Sequence, residues 1–264
     1  LASEGAAVVV NDLGGDAAGA GADMTPAQQV VADIEAAGGR AVVNGGSVSN
    51  WSDAEALIAQ AVDTFGRLDI LVNNAGILRD RMSFSMTEEE FDSVIDVHLK
   101  GHFAPSRFAA AYWREQFKST NEPVNAKIVN TASESGIYGN GGQANYAAAK
   151  AGLVGMSKAL AQEVASRGIT VNVVAPGFVV TSMTDILPDA QKTKLAESIP
   201  LGRLGLTAFP RLRAHHAGAV GLHVHARLER IPFVRLPLER HCGLEPFLVR
   251  VHFDFLRIAF QHDE

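Results

Sequence analysis

The chain has only one cysteine, Cys242, in 264 residues, which excludes an intramolecular disulfide and any metal site built from several cysteines. No apolar run reaches the ~18 residues of a membrane span, and no basic segment followed by an apolar one opens the sequence. The net charge of −6 gives no electrostatic case for binding nucleic acid or an anionic membrane. We therefore expect a cytoplasmic protein without a metal, nucleic-acid or membrane partner.

What the chain has instead is an alternation of strand and helix patterns up to about residue 175. Its length and its 47% hydrophobic content suffice for one α/β domain with a substantial core. Short apolar runs predict strands at residues 6–10, 41–43, 68–72, 126–131 and 169–174. Helical patterns fall between them, at residues 26–37, 52–65, 87–118 and 145–167. The alternation predicts a doubly wound parallel sheet of the Rossmann-like α/β class, in which ligands bind at the carboxyl ends of the strands.

Two of these helices begin with a capping signal. Ser52 with Glu55, and Thr87 with Glu90, have the spacing of a capping box. In that motif two side chains satisfy the free backbone N–H groups of the first turn. We therefore expect Ser52 and Thr87 to be N-cap residues.

Ser133, Tyr146 and Lys150 form the most informative pattern in the chain. Tyr146 and Lys150 are four residues apart, so on a helix they share a face and the ammonium can lie beside the phenol. A cation there is expected to lower the phenol pKa from its usual value of ~10 and make Tyr146 a usable proton acceptor. Ser133, at the end of a strand, can donate a hydrogen bond to a substrate oxygen. The three groups predict acid–base chemistry on an alcohol or carbonyl, although the Tyr–Lys spacing alone also fits an ordinary surface pair.

Further motifs accompany this triad and make the pattern specific. They are Asn73-Asn74-Ala75-Gly76 after the third strand, and Pro176-Gly177 followed by Val179 and Thr181. Over residues 1–203 the sequence resembles the short-chain dehydrogenase/reductases. Within that family, the segments VVVNDLGG, NNAGILRDR, VHLKGHF and SGIYGNGGQANYAAAK look like the (3R)-hydroxyacyl-CoA dehydrogenase domains of peroxisomal multifunctional enzymes of type 2 and their bacterial relatives.

The resemblance implies a role for each of these positions. Tyr146 would be the catalytic acid–base, Ser133 would orient the substrate oxygen, and Lys150 would hold the ribose of a nicotinamide cofactor. Val179 and Thr181 would meet the carboxamide of the nicotinamide. The complete set of implied cofactor-binding residues is Asp12, Ser47, Val48, Asn74, Ala75, Gly76, Tyr146, Lys150, Pro176, Gly177, Val179 and Thr181. Taken singly, the Asn-Asn-Ala-Gly and Pro-Gly segments would also fit simple turns.

Asp12 bears on the choice of cofactor. It follows the first predicted strand, where a carboxylate can accept a hydrogen bond from a ribose 2′-hydroxyl and repels a 2′-phosphate. This position favours NAD over NADP. The alternative is that residues 11–15 form a plain turn.

The sequence departs from the family pattern at two places within residues 1–203. The chain begins at Leu1 with what reads as the end of a helix, so we expect the true start, the first strand and the Gly-rich phosphate loop to lie upstream. The usual catalytic asparagine of the long helix is replaced by His98. His98 is therefore a fourth candidate catalytic residue, able to serve a water relay to Lys150. The alternative is a structural histidine.

The composition changes after residue 203. The last lysine is Lys194, whereas seven of the nine histidines follow residue 203. We divide the chain into a dinucleotide-binding domain at residues 1–203 and an atypical tail at residues 204–264. Histidines 215, 216, 223 and 225 lack the spacing of a metal site, and the abrupt shift favours a reading-frame slip. Recovery of tail peptides from the native protein by mass spectrometry would contradict that hypothesis.

These patterns together predict an NAD-dependent oxidoreductase that interconverts a secondary alcohol and a ketone, with a 3-hydroxyacyl-CoA as the substrate that the resemblance implies. The alternatives are a 3-oxoacyl carrier-protein reductase, a steroid dehydrogenase, and a non-catalytic remnant. The helices around residues 88–118 and 145–167 resemble those through which the family dimerises. We therefore expect a homodimer or homotetramer.

Overall fold

The computed structural model describes residues 1–16, 19, 21, 23–181, 187–199 and 201–205. It divides the chain into a compact unit, Leu1–Gly177, and a second unit that begins at Phe178. The histidines of the tail and the proposed frame slip lie outside the described residues. The predicted domain boundary at residue 203 stays a prediction.

The described residues of the first unit form five strands, all paired in parallel. They are β1 (Ala7–Asn11), β2 (Arg40–Asn44), β3 (Ile70–Asn73), β4 (Lys127–Thr131) and β5 (Thr170–Val174). β1 pairs with β2, and a second sheet has the order β3-β4-β5. The two sheets share no ladder pair among the described residues. All five predicted strands are confirmed, with their bounds moved by one or two residues.

Helices connect the strands, as the alternation predicts. In the first unit they are α1 (Thr25–Ala36), α2 (Trp51–Phe65), α3 (Glu88–Ile95), α4 (Gly101–Thr120), α5 (Ser135–Tyr138) and α6 (Ala144–Val164). The second unit contributes α7 (Asp189–Ser198). No helix in the described ranges is both long and apolar enough to cross a bilayer.

One of the two predicted capping boxes is confirmed. The Thr87 hydroxyl accepts from the Glu90 N–H, and the Glu90 carboxylate accepts from the Thr87 N–H. At α2 the prediction is wrong, because the cap is Asn50, whose side chain accepts from the N–H groups of Ser52 and Asp53. Asn is as good an N-cap as Ser, and an extended backbone at Asn50 starts the helix two residues earlier than expected.

The long helix at residues 88–120 is interrupted by a π-helical segment, Asp96–Lys100, between α3 and α4. Such a segment inserts an extra residue per turn and is frequent at functional sites. Pro105 lies one turn further on inside α4, where it has no N–H to donate to the Gly101 carbonyl. The π segment holds His98 in a buried position, which the sequence pattern of a uniform helix does not predict.

The core lies between the second sheet and the helices α2 and α4. Trp113 is fully buried there, and its indole N–H donates to the Leu68 carbonyl at 2.7 Å. Ile128 of β4 and Ile58 of α2 belong to the same cluster. Because α2 packs against both β1 and α4, one helical layer spans the two sheets. Burial of apolar surface stabilises the fold by about 25 cal/mol per Å². The packing of this core holds the strand ends that carry the candidate site in place.

Candidate active site

Ser133, Tyr146 and Lys150 converge at the carboxyl end of β4. Ser133 lies two residues beyond the end of β4, and Tyr146 and Lys150 lie in the first two turns of α6. The short helix α5 packs against α6 between them. Gly136 of α5 permits this close approach, because a Cβ there would lie 2.8 Å from the Lys150 carbonyl carbon and the Ala151 nitrogen. Backbone atoms cannot give way as a flexible side chain can, so the position requires glycine.

The Tyr146 phenol is partly buried and is expected to be neutral. Burial is the largest influence on its pKa and raises it above the usual value of 10.0. A hydrogen bond with Ser133 acts in the lowering direction, and the charge of Asp80 acts in the raising direction. The expectation that Lys150 lowers the pKa of Tyr146 is therefore wrong for this structure. Desolvation of the phenolate exceeds the stabilisation that its neighbours supply.

Lys150 is buried beside the Tyr146 ring. Its ammonium donates to the backbone carbonyl of Thr131, and its nitrogen lies 5.6 Å from the centre of the Tyr146 ring. Burial lowers the pKa of Lys150 to about 8. The ammonium is thus still mostly charged at neutral pH, while the Tyr146 pKa is shifted by burial, Ser133 and Asp80.

His98 lies against Tyr146. The two rings meet edge to face, with 4.9 Å between their centroids. The His98 Nε2 atom is 2.7 Å from the Ile77 carbonyl oxygen and 3.1 Å from the Ile77 nitrogen. Burial and the nearby Lys150 charge lower the pKa of His98 to about 4, so the ring is neutral at physiological pH. The structure therefore brings all four candidate catalytic residues together, and their roles stay predictions.

Gly76 has a packing function that the sequence motif alone does not reveal. A Cβ at this position would lie 2.4 Å from Cε1 of the His98 imidazole, closer than any real contact permits. The glycine that ends the Asn-Asn-Ala-Gly motif therefore makes room for the His98 ring.

Asn145 is a positioning residue that the sequence reasoning missed. Its amide nitrogen donates to the carbonyls of Arg79 and Glu90 at 3.1 and 2.9 Å. Its carbonyl oxygen accepts from the N–H of Tyr146 at 2.8 Å. The side chain is fully buried and ties the start of α6 to the loop after β3 and to α3. The signal in the sequence was the Asn directly before Tyr146. When such an amide is buried it needs several hydrogen-bond partners, and it can therefore link neighbouring segments.

A second buried polar network supports the sheet beneath the site. The Asn73 amide donates to the Asn130 side chain at 2.8 Å and to the Ser106 hydroxyl at 2.9 Å. Asn130 in turn donates to the Ser157 hydroxyl at 2.8 Å. Asn73 thus joins β3, β4 and α4. Its amide is directed into the interior rather than toward a ligand.

The residues expected to hold the nucleoside part of a cofactor lie after β1, β2 and β3. Asp12 and Asn74 are exposed, and Ser47 and Val48 are half-buried. One Asp12 oxygen accepts from the Gly14 N–H at 2.7 Å, so the carboxylate has a fixed position beyond β1. Exposed carboxylate and amide groups at the carboxyl ends of parallel strands fit the sugar hydroxyls of a dinucleotide. Ala75 is exposed and Gly76 is half-buried at the same edge.

The Pro176-Gly177 segment follows β5. The Pro176 carbonyl accepts from the Glu134 N–H at 3.1 Å, so this segment lies next to Ser133. Val179 and Thr181 belong to the second unit, in which Val179 forms a parallel bridge with Gly205. Their contact with a nicotinamide stays a prediction. Within the described part of the chain, no cluster of three or more His, Cys, Asp or Glu side chains could hold a metal ion.

Comparisons with known proteins place this site in a family context. The family described as short chain dehydrogenase matches residues 1–192. The 3-oxoacyl-[acyl-carrier-protein] reductase of Staphylococcus aureus is 43% identical over 78% of this chain and 77% of its own length. A hydroxyacyl-CoA dehydrogenase of Mycobacterium tuberculosis is 41% identical over 83% of this chain and 68% of its own length.

A third relative is much longer than this chain. The peroxisomal hydratase-dehydrogenase-epimerase of Saccharomyces cerevisiae is 51% identical over 66% of the chain, a match that spans only 18% of the yeast protein. Among solved structures, a short chain dehydrogenase from Mycobacterium avium is 38% identical, with a TM-score of 0.63 over 85% of this chain and 88% of that one.

Proposed function

The chain belongs to the short-chain dehydrogenase family of oxidoreductases, and on that premise we propose that it interconverts a secondary alcohol and a ketone with NAD. The observation that carries the proposal is the convergence of Ser133, Tyr146, His98 and Lys150 at one strand end. A phenol, a hydroxyl and a buried ammonium around one point are the groups that acid–base chemistry at a carbon–oxygen bond requires.

NAD, when bound, would accept the hydride that leaves the carbinol carbon. The protein's own contribution is to the oxygen: the phenolate form of Tyr146 takes the hydroxyl proton as the C–O bond becomes C=O, and Ser133 holds that oxygen by a hydrogen bond. In the reverse direction the neutral phenol donates the proton. Asp12, Ser47, Val48 and Asn74 would hold the nucleoside, with Asp12 favouring a free 2′-hydroxyl.

The substrate that we propose is a 3-hydroxyacyl-CoA. The hydroxyacyl-CoA dehydrogenase named among the relatives, and the sequence segments shared with that branch, support this choice. An exposed apolar surface near the site would suit an acyl chain: Met82 and Phe84 in the loop after β3, and Ile137 and Tyr138 in α5, are all exposed. That loop is tied to the start of α6 by the bond from the Arg81 N–H to the Gly142 carbonyl.

One observation favours a second candidate, the reduction of a 3-oxoacyl carrier-protein. The raised pKa of Tyr146 keeps the phenol neutral, which is the form that donates a proton to a ketone. Reductases of this kind are among the relatives. Asp12 acts in the other direction, since it disfavours the 2′-phosphate of NADPH.

A substrate and cofactor panel separates the candidates. The full chain is assayed with 3-hydroxyacyl-CoA, 3-oxoacyl carrier protein and a steroid alcohol, each with NAD(H) and NADP(H). We expect the highest kcat/KM with 3-hydroxyacyl-CoA and NAD. A preference for 3-oxoacyl carrier protein with NADPH would replace the first candidate by the second. No turnover, together with no NAD binding by titration, would favour a non-catalytic role.

We also propose that the protein is a homodimer or homotetramer that works in the cytoplasm, with α4 and α6 as the helices of association. Sedimentation of the full chain as a monomer would contradict the first statement. Localisation of the tagged protein to a membrane-bounded compartment would contradict the second, and a peroxisomal protein is among the relatives.

A further inference from the structure

His102 is a second buried histidine beside the site, and the reaction described above does not use it. It lies one turn beyond His98, in α4, and its side chain is fully buried. Neither of its ring nitrogens has a hydrogen-bond partner, and Nδ1 of His98 also lacks one. A buried polar atom without a hydrogen-bond partner lowers the stability of the folded chain. Three such atoms within two neighbouring rings indicate that the pair binds a further polar group.

The distance between the two rings limits the size of that group. The centroids of His98 and His102 are 6.4 Å apart, and the rings are tilted by 33°. A direct nitrogen-to-nitrogen hydrogen bond would need about 3 Å. Two hydrogen bonds in series through one water span about 5 Å, and buried waters ordinarily bridge polar groups that lack protein partners. Because each ring nitrogen lies about 1 Å from its centroid, a centroid separation of 6.4 Å has space for one bridging water.

The hydrogen bond at the other side of His98 shows what such a water would do. Nε2 of His98 is 3.1 Å from the Ile77 nitrogen, whose N–H needs it as an acceptor, but the shorter contact, 2.7 Å to the Ile77 carbonyl oxygen, favours a hydrogen on Nε2. Nδ1 is then a bare acceptor that needs a donor. Which nitrogen of a histidine is protonated is set by the bond that the other nitrogen makes. A donor at Nδ1 therefore fixes both the tautomer and the orientation of the ring that lies against Tyr146.

We propose that His102 is a positioning residue, which holds with His98 a buried water that fixes the His98 tautomer and keeps that ring against Tyr146. The charged and titratable groups around the pair are Lys150 and Tyr146, with Asp80 acting on Tyr146. The role fits a neutral imidazole, since burial, Lys150 and His98 lower the pKa of His102 to about 3. The backbones of Val97 and Asn73 oppose this lowering, but neither completes a hydrogen bond with the ring.

The first test does not depend on catalysis. The full chain is labelled with ¹⁵N-histidine, and the ring signals of His98 and His102 are assigned with the His98→Gln and His102→Gln variants. We expect both rings to stay neutral between pH 5 and 8, His98 to be the Nε2–H tautomer, and His102 to give a cross-peak to a slowly exchanging water. A His102 ring that contacts only the Asn73 or Val97 carbonyl, with no water signal, would overturn the proposal.

The second test measures the catalytic consequence, which rests on the proposed function. His102→Phe keeps a flat ring without nitrogens, whereas His102→Gln keeps a donor and an acceptor. We expect His102→Phe to lower kcat about tenfold, to leave the KM for NAD unchanged and to shift the pH profile of kcat. His102→Gln should restore most of the rate.

A matched control separates positioning from packing. Ile58→Val removes buried volume in α2 and should lower Tm with no change in the pH profile of kcat. If His102→Phe behaves in the same way as Ile58→Val, His102 is only a core residue. If the chain turns over none of the substrates, the proposed function is wrong. The NMR measurement still decides whether His102 and His98 hold a water.

Discussion

The interior half of the site, around Lys150, and its exposed half, around Asp12, acquire their chemistry in different ways. In the interior half, burial is the largest cause of every shifted pKa, at His98, His102, Tyr146 and Lys150. In the exposed half, the Asp12 carboxylate is in contact with solvent, and its value for binding depends on its charge and its place after β1. Packing thus shifts the pKa values of the candidate reacting groups, whereas the proposed choice of cofactor depends on the charge and position of one exposed residue.

The largest expected effect comes from Tyr146, the group that we propose contacts the reacting oxygen. Tyr146→Phe removes the phenol hydroxyl and keeps the ring that packs against His98. We expect kcat to fall by about 10²–10⁴-fold, with little change in Tm or in NAD binding, measured by calorimetry and titration. Retention of more than a tenth of the activity would show that another group moves the proton.

The next effect concerns stability in acid. Because the folded-state pKa values of His98 and His102 lie at about 4 and about 3, below the usual 6.5, the unfolded chain binds more protons between these values. The contribution of these two groups to stability is therefore complete above pH 6.5 and is lost as pH falls, toward pH 4 for His98 and toward pH 3 for His102, by about 1.4 kcal/mol per pH unit for each group. Unfolding in denaturant at a series of pH values measures this.

His102→Phe tests the source of that acid sensitivity. The variant has one buried imidazole fewer, so unfolding should take up about one proton fewer below pH 6.5. The slope of the free energy of unfolding against pH should therefore decrease by about 1.4 kcal/mol per pH unit. An unchanged slope would mean that His102 titrates alike in the folded and unfolded chains.

A smaller effect is expected from a substitution of Gly76, which packs against the His98 ring. Gly76→Ala places a methyl group against the imidazole and should move the ring away from Tyr146. We expect kcat to fall by about tenfold to a hundredfold, with a loss of about 1–3 kcal/mol of stability. Gly141→Ala is the matched control, since a Cβ there meets nothing within 4 Å. Equal effects of the two substitutions would exclude the packing explanation.

The smallest effect belongs to the exposed half. Asp12→Asn removes the charge and keeps the size and the possible bond to the Gly14 N–H. The ratio of kcat/KM for NAD over NADP should fall about tenfold, with kcat in saturating NAD unchanged. An unchanged ratio would mean that Asp12 only shapes its turn.

Several features of the fold were predictable because they depend on local patterns. Apolar runs gave the five strands, and the Thr87–Glu90 spacing gave a helix start that the structure confirms. The cap at Asn50 was missed because Ser52 and Glu55 matched a known motif, while the backbone turned two residues earlier. The convergence of Ser133 with Tyr146 followed from placing each residue at the end of a strand or the start of a helix.

By itself, the sequence determined the alternation of strands and helices, the family, and the candidate residues Ser133, Tyr146, Lys150 and Asp12, because these depend on residue type and spacing. Only the tertiary structure decided that the Tyr146 pKa is raised rather than lowered, since desolvation depends on what surrounds a group. It alone also revealed the π segment, the contact of Gly76 with His98 and the burial of His102. These features arise from atoms that are distant along the chain and adjacent in space.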